Sequence, residues 1–463
     1  MRPKFNQQAQ FNFQPSPLKI TSEYYAQYEV ISKILDANPR IVEAVHADIH
    51  QPVESELDPE TGVVQYRCST ETVLRLIICL IVERCSLRRI VIRVDDSNFL
   101  RHFVRIHNDP MIDFTTLARL RNRIRPETWK RIHKLLNQWA QRNGRLAGDK
   151  LRLDTTAVET NIHWPTDSAL LWDSYRVLAR LVSRLRKQDA RLVGEQRLHP
   201  RRARRLYLKI ARQARGRAGR TDTLKPLYSK LIQQVESLLH WVDGTLARAV
   251  RRVAVDAALQ TLLDRLRHYR GLGQRVVDQA RRRTLHGQAV ANDQKLFSIF
   301  EPHTELLKRG KTVRNIEFGH MVQIQQVSTK FITGYQVFEH KPVESLQLEA
   351  ALESHKALFG EYPDEATADK GYAPSAAQRE RLEDKVEHLA IGQAGRLSQA
   401  DRQREHTPRF RLAQRFRAGV EGTISFLKRA LGLARCLSKG WSHYAAAVGA
   451  ALFVHNLLVL ARV

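Results

Sequence analysis

Leu151-Arg152-Leu153-Asp154-Thr155-Thr156-Ala157-Val158-Glu159-Thr160 is the stretch on which the fold turns. It reads as a β-strand from Leu151 to Ala157 set between two helical regions, so the chain cannot be a plain helical bundle. Downstream, Ile316, Phe318, Val322 and Ile324 alternate, and Phe331, Tyr335 and Val337 alternate in the other parity, which predicts a β-hairpin between Thr312 and Phe338. Leu348, Ala351, Leu352 and Phe359 return to helical spacing. Short strands are expected at Glu365 to Asp369 and at Val386 to Ile391, and a long helix from Arg409 to Leu433. The order is strand, long insert, two strands, helix, strand, helix, strand, helix, which suits a mixed α/β layer fold.

Upstream, residues from 22 to 145 carry helical periodicity (Val73, Leu74, Ile77, Ile78, Ile81; Leu117, Leu120, Ile124) and predict an all-helical N-terminal domain. One helix starts at Asp113 or Thr115 and the next at Pro126. They form either a helix-turn-helix with an arginine-studded first helix or two packed helices with a solvated basic face. Residues 1–21, rich in Gln, Asn, Phe and Pro, are expected to be a flexible arm. They hold no apolar core of a signal peptide, so a cytoplasmic setting is expected. Ala445 to Ala461 is apolar but interrupted by His455 and Asn456, and reads as a core helix rather than a membrane span. Four cysteines without a CxxC predict neither a disulfide framework nor a zinc site.

With 76 Lys and Arg against 48 Asp and Glu, the 463-residue chain carries a formal charge of +28, so a polyanion is the natural partner. The charge is local. Residues 174–286 hold 28 basic against 8 acidic residues while keeping apolar positions at helical spacing (Leu178, Leu181, Val182, Leu185; Leu231, Val235, Leu238, Val242; Leu259, Leu262, Leu263, Leu266). A folded helical insert over 170–310 that contacts phosphates is expected, with Arg201, Arg202, Arg204 and Arg205 and the triplet Arg281, Arg282 and Arg283 as contact points. Trp164, in the loop after the first strand, could stack on a frayed base or pack on the core.

Within so basic a chain, Asp154 lies on the first strand and Asp369 ends the third strand region, followed by Lys370-Gly371-Tyr372. Carboxylates at strand ends can converge with a third on a nearby helix to hold hard cations, because Mg²⁺ takes oxygen ligands. Glu421 is that third candidate. On its helix Phe416, Val420, Ile424, Leu427 and Leu431 form one stripe, and Arg417, Glu421 and Lys428 fall along its edge. Such a triad with two ions suits in-line phosphoryl transfer on a phosphodiester. Each acid also has a plain structural reading, as a turn residue or, for Glu421, as an i,i+4 partner of Arg417.

Three blocks, Asp154-Thr-Thr-Ala-Val-Glu-Thr-Asn-Ile-His-Trp-Pro-Thr-Asp-Ser168, Ala368-Asp-Lys-Gly-Tyr372, and Arg417-x3-Glu421-x6-Lys428 followed by Gly432-Leu-Ala-Arg435, resemble the signature blocks of bacterial insertion-sequence DDE transposases, closest to the ISNCY type. The resemblance implies an RNase H-like mixed sheet flanked by helices, with a catalytic domain over 146–463 interrupted by the insert. It implies Asp154, Asp369 and Glu421 as metal-binding catalytic acids with two Mg²⁺ or Mn²⁺ ions. Arg417, Lys428 and Lys370 would then contact DNA. The partners implied are double-stranded DNA at terminal inverted repeats and at the target, held by a homodimer, with no membrane. Relatives often carry a tyrosine three residues before the arginine, where this chain has Gln414, and several place their insert after the second aspartate instead of the first. Two other readings stand: an inactive or domesticated sequence-specific DNA-binding protein, and a different RNase H-like nuclease.

Overall fold

The computed structural model describes residues 1–6, 17–58, 60–214, 221–250, 256–308, 316–393 and 395–462. In chain order the helices and strands are α1 (Lys19–Asp36), α2 (Pro39–Ile49), α3 (Thr70–Val82), α4 (Leu87–Asp96), α5 (Asn98–Phe103), α6 (Phe114–Arg123), α7 (Pro126–Arg142), β1 (Lys150–Thr160), α8 (Asp167–Gln188), α9 (Ala190–Val193), α10 (Pro200–Gln213), α11 (Thr221–Val250), α12 (Ala257–Ala280), β2 (Glu305–Lys308), β3 (Ile316–Gln326), β4 (Ile332–Val337), α13 (Gln347–Phe359), β5 (Glu365–Ala368), α14 (Ala376–Glu383), β6 (His388–Ile391), α15 (Gln399–Glu405), α16 (Pro408–Arg429), β7 (Arg435–Cys436) and α17 (Trp441–Leu460). Two compact units result, one made of Met1–Thr160 with His320–Val463, the other of Asn161–Gly319.

The first unit is a mixed sheet flanked by helices. β1 is central, and the strands run in the order β4-β3-β1-β5-β6, with β7 added to the last residues of β1. β1, β5 and β6 are parallel, while β3 and β4 form an antiparallel hairpin, Val322 opposite Val337. Residues 312–315 of the expected hairpin lie outside the described residues. One sheet face is apolar, where Leu151 and Leu153 of β1 meet Leu348 and Leu352 of α13. The other face carries α16, which Thr407 caps by accepting the Phe410 amide at 3.2 Å and which opens with Pro408 at its first turn.

The helices upstream of β1 fall in the same compact unit as the sheet. α17 has buried residues on every side, so it needs cover all round, and Trp129 of α7, Ile77 of α3 and Ile31 of α1 share one apolar cluster with it and with Ile324 and Ile332 of the hairpin. α17 is long and apolar enough to cross a membrane, but 78% of its apolar window is buried inside the protein. The polar residues that interrupt it have internal work. Asn456 accepts the Ile332 amide at 2.9 Å and donates to the Ile332 carbonyl at 2.7 Å, closing the free edge of β4, and His455 contacts the Lys330 carbonyl at 3.1 Å.

The start of the chain departs from the expected loose arm. Arg2 is buried, donating to the carbonyls of Ile49 and Cys68, each at 3.0 Å, and pairing with the buried Glu56 carboxylate. Asn6 donates to the Arg105 carbonyl at 2.9 Å. A buried, paired charge is a strong anchor, because separating the partners strands one of them. The expectation for residues 7–16 lies outside the described residues. Of the arginines on and just after α6, Arg119 pairs with Glu54 at 3.1 Å, Arg123 donates to the Gln51 carbonyl at 2.8 Å and Arg125 pairs with Asp48 at 2.7 Å. These contacts favour two packed helices.

The second unit, Asn161–Gly319, contains the basic insert. α8, α10, α11 and α12 enclose an apolar core that includes Leu178, Val182, Leu231, Val235, Leu263 and Leu266. β2, a strand the sequence did not announce, pairs antiparallel with Ile316–Gly319.

Two buried imidazoles make stability in the first unit depend on pH. Burial holds His133 down at about 3 and His455 at about 4. In the unfolded chain both take up protons near pH 6.5, so their neutral burial stabilises the fold above that value and the contribution is lost as pH falls toward the folded values. Urea unfolding should show a loss of about 3–4 kcal/mol between pH 7 and pH 5 from this pair. His455→Gln should remove about half of that loss. An unchanged pH dependence in this variant would exclude the buried imidazole as its source.

Candidate active site

The two aspartates lie on β1 and just after β5. Their register pairs Lys150 with Glu365, Leu151 with Ala366 and Arg152 with Thr367. The pairing ends there; continued two residues beyond it, the same register would bring Asp154 opposite Asp369, whose backbone is extended at φ −75°, ψ 174°. Parallel neighbours at matching positions sit about 5 Å apart and project from the same sheet face. Both carboxylates are held by local amides: Thr155 donates to Asp154 Oδ1 at 2.7 Å, and Gly371 donates to Asp369 Oδ1 at 2.8 Å.

That face is the one covered by α16. Two residues before Asp154, the buried Arg152 donates to Gln326 Oε1 at 2.8 Å and to the Phe416 carbonyl at 2.6 Å, and its guanidinium lies 4.6 Å from the centre of the Phe416 ring. Two residues before Asp369, Thr367 Oγ1 accepts from Gln414 Nε2 at 3.3 Å. Gln326 in turn donates to Thr423 Oγ1 at 2.9 Å. The helix thus crosses β5, β1 and β3 one pleat below the aspartates. Gly419 lets the helix come close here, since a Cβ at that position would make the Arg152 guanidinium shift. Burial lowers the Arg152 pKa to about 10, which leaves the side chain cationic at neutral pH.

Phe416 marks the orientation of α16, because its ring stands near Lys150 and Arg152, toward the start of β1. At 100° per residue, Arg417 and Glu421 fall about 100° and 140° around the helix from Phe416. Glu421 is exposed. Arg417 donates to Gln414 Oε1 at 3.1 Å, and Gln414 Nε2 also donates to the Ala390 carbonyl at 2.7 Å, so Gln414 ties Arg417 to the β5–β6 edge. Lys428 is half-buried farther along the helix, and Lys370 is exposed beside Gly392 at the end of β6. Among the described residues, no three His, Cys, Asp or Glu side chains come close enough together to hold a metal ion. The paired part of β1 and β5 thus leads toward both aspartates, while Glu421 is exposed on α16.

Several residues of the neighbourhood escaped the sequence reading. Tyr372 is buried, hydrogen-bonds Thr155 Oγ1 and accepts from Gln323 Nε2 at 3.1 Å. Arg152 and Gln326 looked like ordinary strand residues, and the signal that could have singled them out was only their polarity on a buried strand.

In the insert, Arg201, Arg202, Arg204 and Arg205 are all exposed on α10, while Ala203 and Ile210 are buried on its other side. The arginine triplet is less open than its sequence suggests. Arg281 is engaged by Glu236, and Arg283 pairs with Asp167 at 2.9 Å, in a π-helical turn that closes α12. Trp164 is 65% exposed and meets the Phe318 ring edge-on at 5.2 Å. Its neighbour His163 hydrogen-bonds the buried Asp173 at 2.7 Å, an interaction that raises the imidazole pKa.

A family model described as a transposase DDE domain matches residues 288–457. The match takes in Asp369 and Glu421 and leaves Asp154 upstream of it. No curated protein and no solved structure matches the chain.

Proposed function

We propose that the protein is a DNA transposase of the DDE type, which cuts at the ends of a mobile element and joins the 3′ ends to target DNA. The observation that carries this reading is the match of residues 288–457 to a transposase DDE domain, and the parallel β1–β5 pairing, which ends two residues before both Asp154 and Asp369, supports it. The strand order β4-β3-β1-β5-β6, with an antiparallel hairpin on one side of β1 and parallel strands on the other, supports an RNase H-like core. The catalytic acids are Asp154, Asp369 and Glu421, with Glu421 turning in from the flank of α16 when ions and DNA bind.

The donor set fits a hard divalent cation, since the two aspartates are carboxylates and the third candidate is another. Asp154 and Asp369 would hold Mg²⁺ or Mn²⁺, which supplies charge neutralisation and an activated oxygen nucleophile for phosphoryl transfer. The chain's own residues do the positioning. The Thr155 and Gly371 amides orient the two carboxylates, the Arg152–Gln326–Thr423 chain fixes α16 over the sheet, and Arg417, Lys428 and Lys370 supply positive charge for phosphates around the site. DNA is gripped through the exposed arginines of α10, with Arg282 and Trp164 as further contacts, and two copies of the chain act on paired ends.

One observation favours a second reading, a DNA-binding protein that does not cut: among the described residues the three acids do not form a ready metal group. Linear DNA carrying the sequences that flank the coding region, incubated with the full-length protein and Mn²⁺, separates the two. Nicked ends, and joining of pre-cut 3′ ends to a plasmid, are expected. Binding without any metal-dependent product would leave only the binding protein, and nicking without joining would point to a nuclease.

A further inference from the structure

Glu344 opens the 3-10 turn Glu344–Leu346 that leads into α13, and its carboxylate lies against the turn that carries Asp369. A Cβ built on Gly371 would collide with Glu344 Oε2 and come within 3.0 Å of Asp369 Oδ1. With glycine there, both carboxylates keep these positions. The same Gly371 donates its amide to Asp369 Oδ1 at 2.8 Å, so whatever presses on Gly371 also sets the aim of Asp369. Tyr372 supplies an independent marker. Burial raises its pKa first, and the negative charges of Glu344 and Asp154 push it the same way, so both carboxylates act on this one hydroxyl, which also hydrogen-bonds Thr155 beside Asp154. Glu344 and Asp369, from the approach to α13 and the end of β5, thus both stand against Gly371, and Tyr372 next to it reaches Thr155 beside Asp154.

We propose, resting on the transposase reading above, that Glu344 is a positioning residue of the same site. Its carboxylate holds the Lys370–Tyr372 turn so that Asp369 faces Asp154, and its charge strengthens the pair's hold on a divalent cation. Gly371 is the residue that admits it. Sequence alone offered no hint of this, because Glu344 stands far from Asp154 in the chain and in no periodic pattern with either aspartate.

The experiment is a titration of the full-length protein with Mn²⁺ alone, free ion being read by electron paramagnetic resonance, with thermal unfolding of each variant measured alongside. E344Q and E344A should weaken Mn²⁺ binding by about tenfold or more, E344D should recover part of it, and G371A should weaken it as much as E344A. The double variant G371A/E344A should bind no worse than either single one, since both changes break the same contact. Should E344A unfold, E344Q keeps the side chain's size and carries the test. Wild-type Mn²⁺ affinity in a folded E344Q would overturn the proposal, and so would a double variant that regains affinity over G371A, because Glu344 would then be an obstacle and not a support. D369N separates the two levels. If D369N loses Mn²⁺ and E344Q does not, only the role of Glu344 falls; if D369N binds as wild type, the metal site itself falls.

Discussion

Asp154→Asn and Asp369→Asn should each reduce DNA cleavage and strand joining by about a thousandfold or more, with DNA binding nearly unchanged. The substitution removes charge while keeping shape. The amide oxygen of the Asp154→Asn side chain can still accept the Thr155 N–H that Asp154 Oδ1 now holds at 2.7 Å, and at position 369 the Gly371 amide at 2.8 Å can be kept in the same way. Neither aspartate is part of the apolar core, so thermal unfolding should stay close to wild type. Glu421→Gln should be as inactive, although Glu421 is exposed on α16. Residual cutting by Glu421→Gln at near wild-type rate would remove Glu421 from the site and leave a two-aspartate centre.

The second large effect concerns affinity. Exchanging Arg201, Arg202, Arg204 and Arg205 together for Gln should flatten the dependence of log binding constant on log salt by about 3 to 4 and weaken binding strongly at low salt. These four side chains span an arc of about 160° on α10 at 100° per residue, and the buried Ala203 and Ile210 hold the opposite side. Gln is a good helix former, so the unit should remain folded. The triplet at 281–283 should matter less, because Glu236 and Asp167 already engage two of its three charges. An unchanged salt slope in the fourfold variant would move the DNA-binding face away from α10.

Much of the central sheet was legible in local pattern. Asp113 and Pro126 announced α6 and α7, where Asp113 Oδ1 accepts the Thr115 amide at 2.7 Å, and the alternation around Val322 and Tyr335 announced the hairpin. What stayed hidden depends on long-range pairing. β1 runs past Ala157 to Thr160 because Arg435–Cys436 pairs with its end, an interaction across more than 270 positions. β2 has only four residues, too few for alternation to register, and is a strand only because Ile316–Gly319 lies beside it. Arg2 looked like part of a loose polar tail, and the Glu56 that buries it cannot be read from composition.

The site shows the same division. Asp154 and Asp369 were identifiable as acids near strand ends, and each lies two residues beyond the last paired position of β1 and β5. Arg152, Gln326, Tyr372 and Glu344 were not identifiable, since each acts through a partner from another element. Periodicity put Glu421 at the edge of its helix's apolar stripe, and it is exposed in the structure. Its distance from the aspartates was beyond what a helical wheel can state.

The most direct test of the shared pocket is anomalous diffraction from crystals of the protein with Mn²⁺, collected with and without DNA ends. A manganese peak bridging the carboxylates of Asp154 and Asp369, with Glu421 drawn to it when DNA is present, is the predicted result. Manganese found only elsewhere on the protein, with the two aspartate side chains turned apart, would contradict the account.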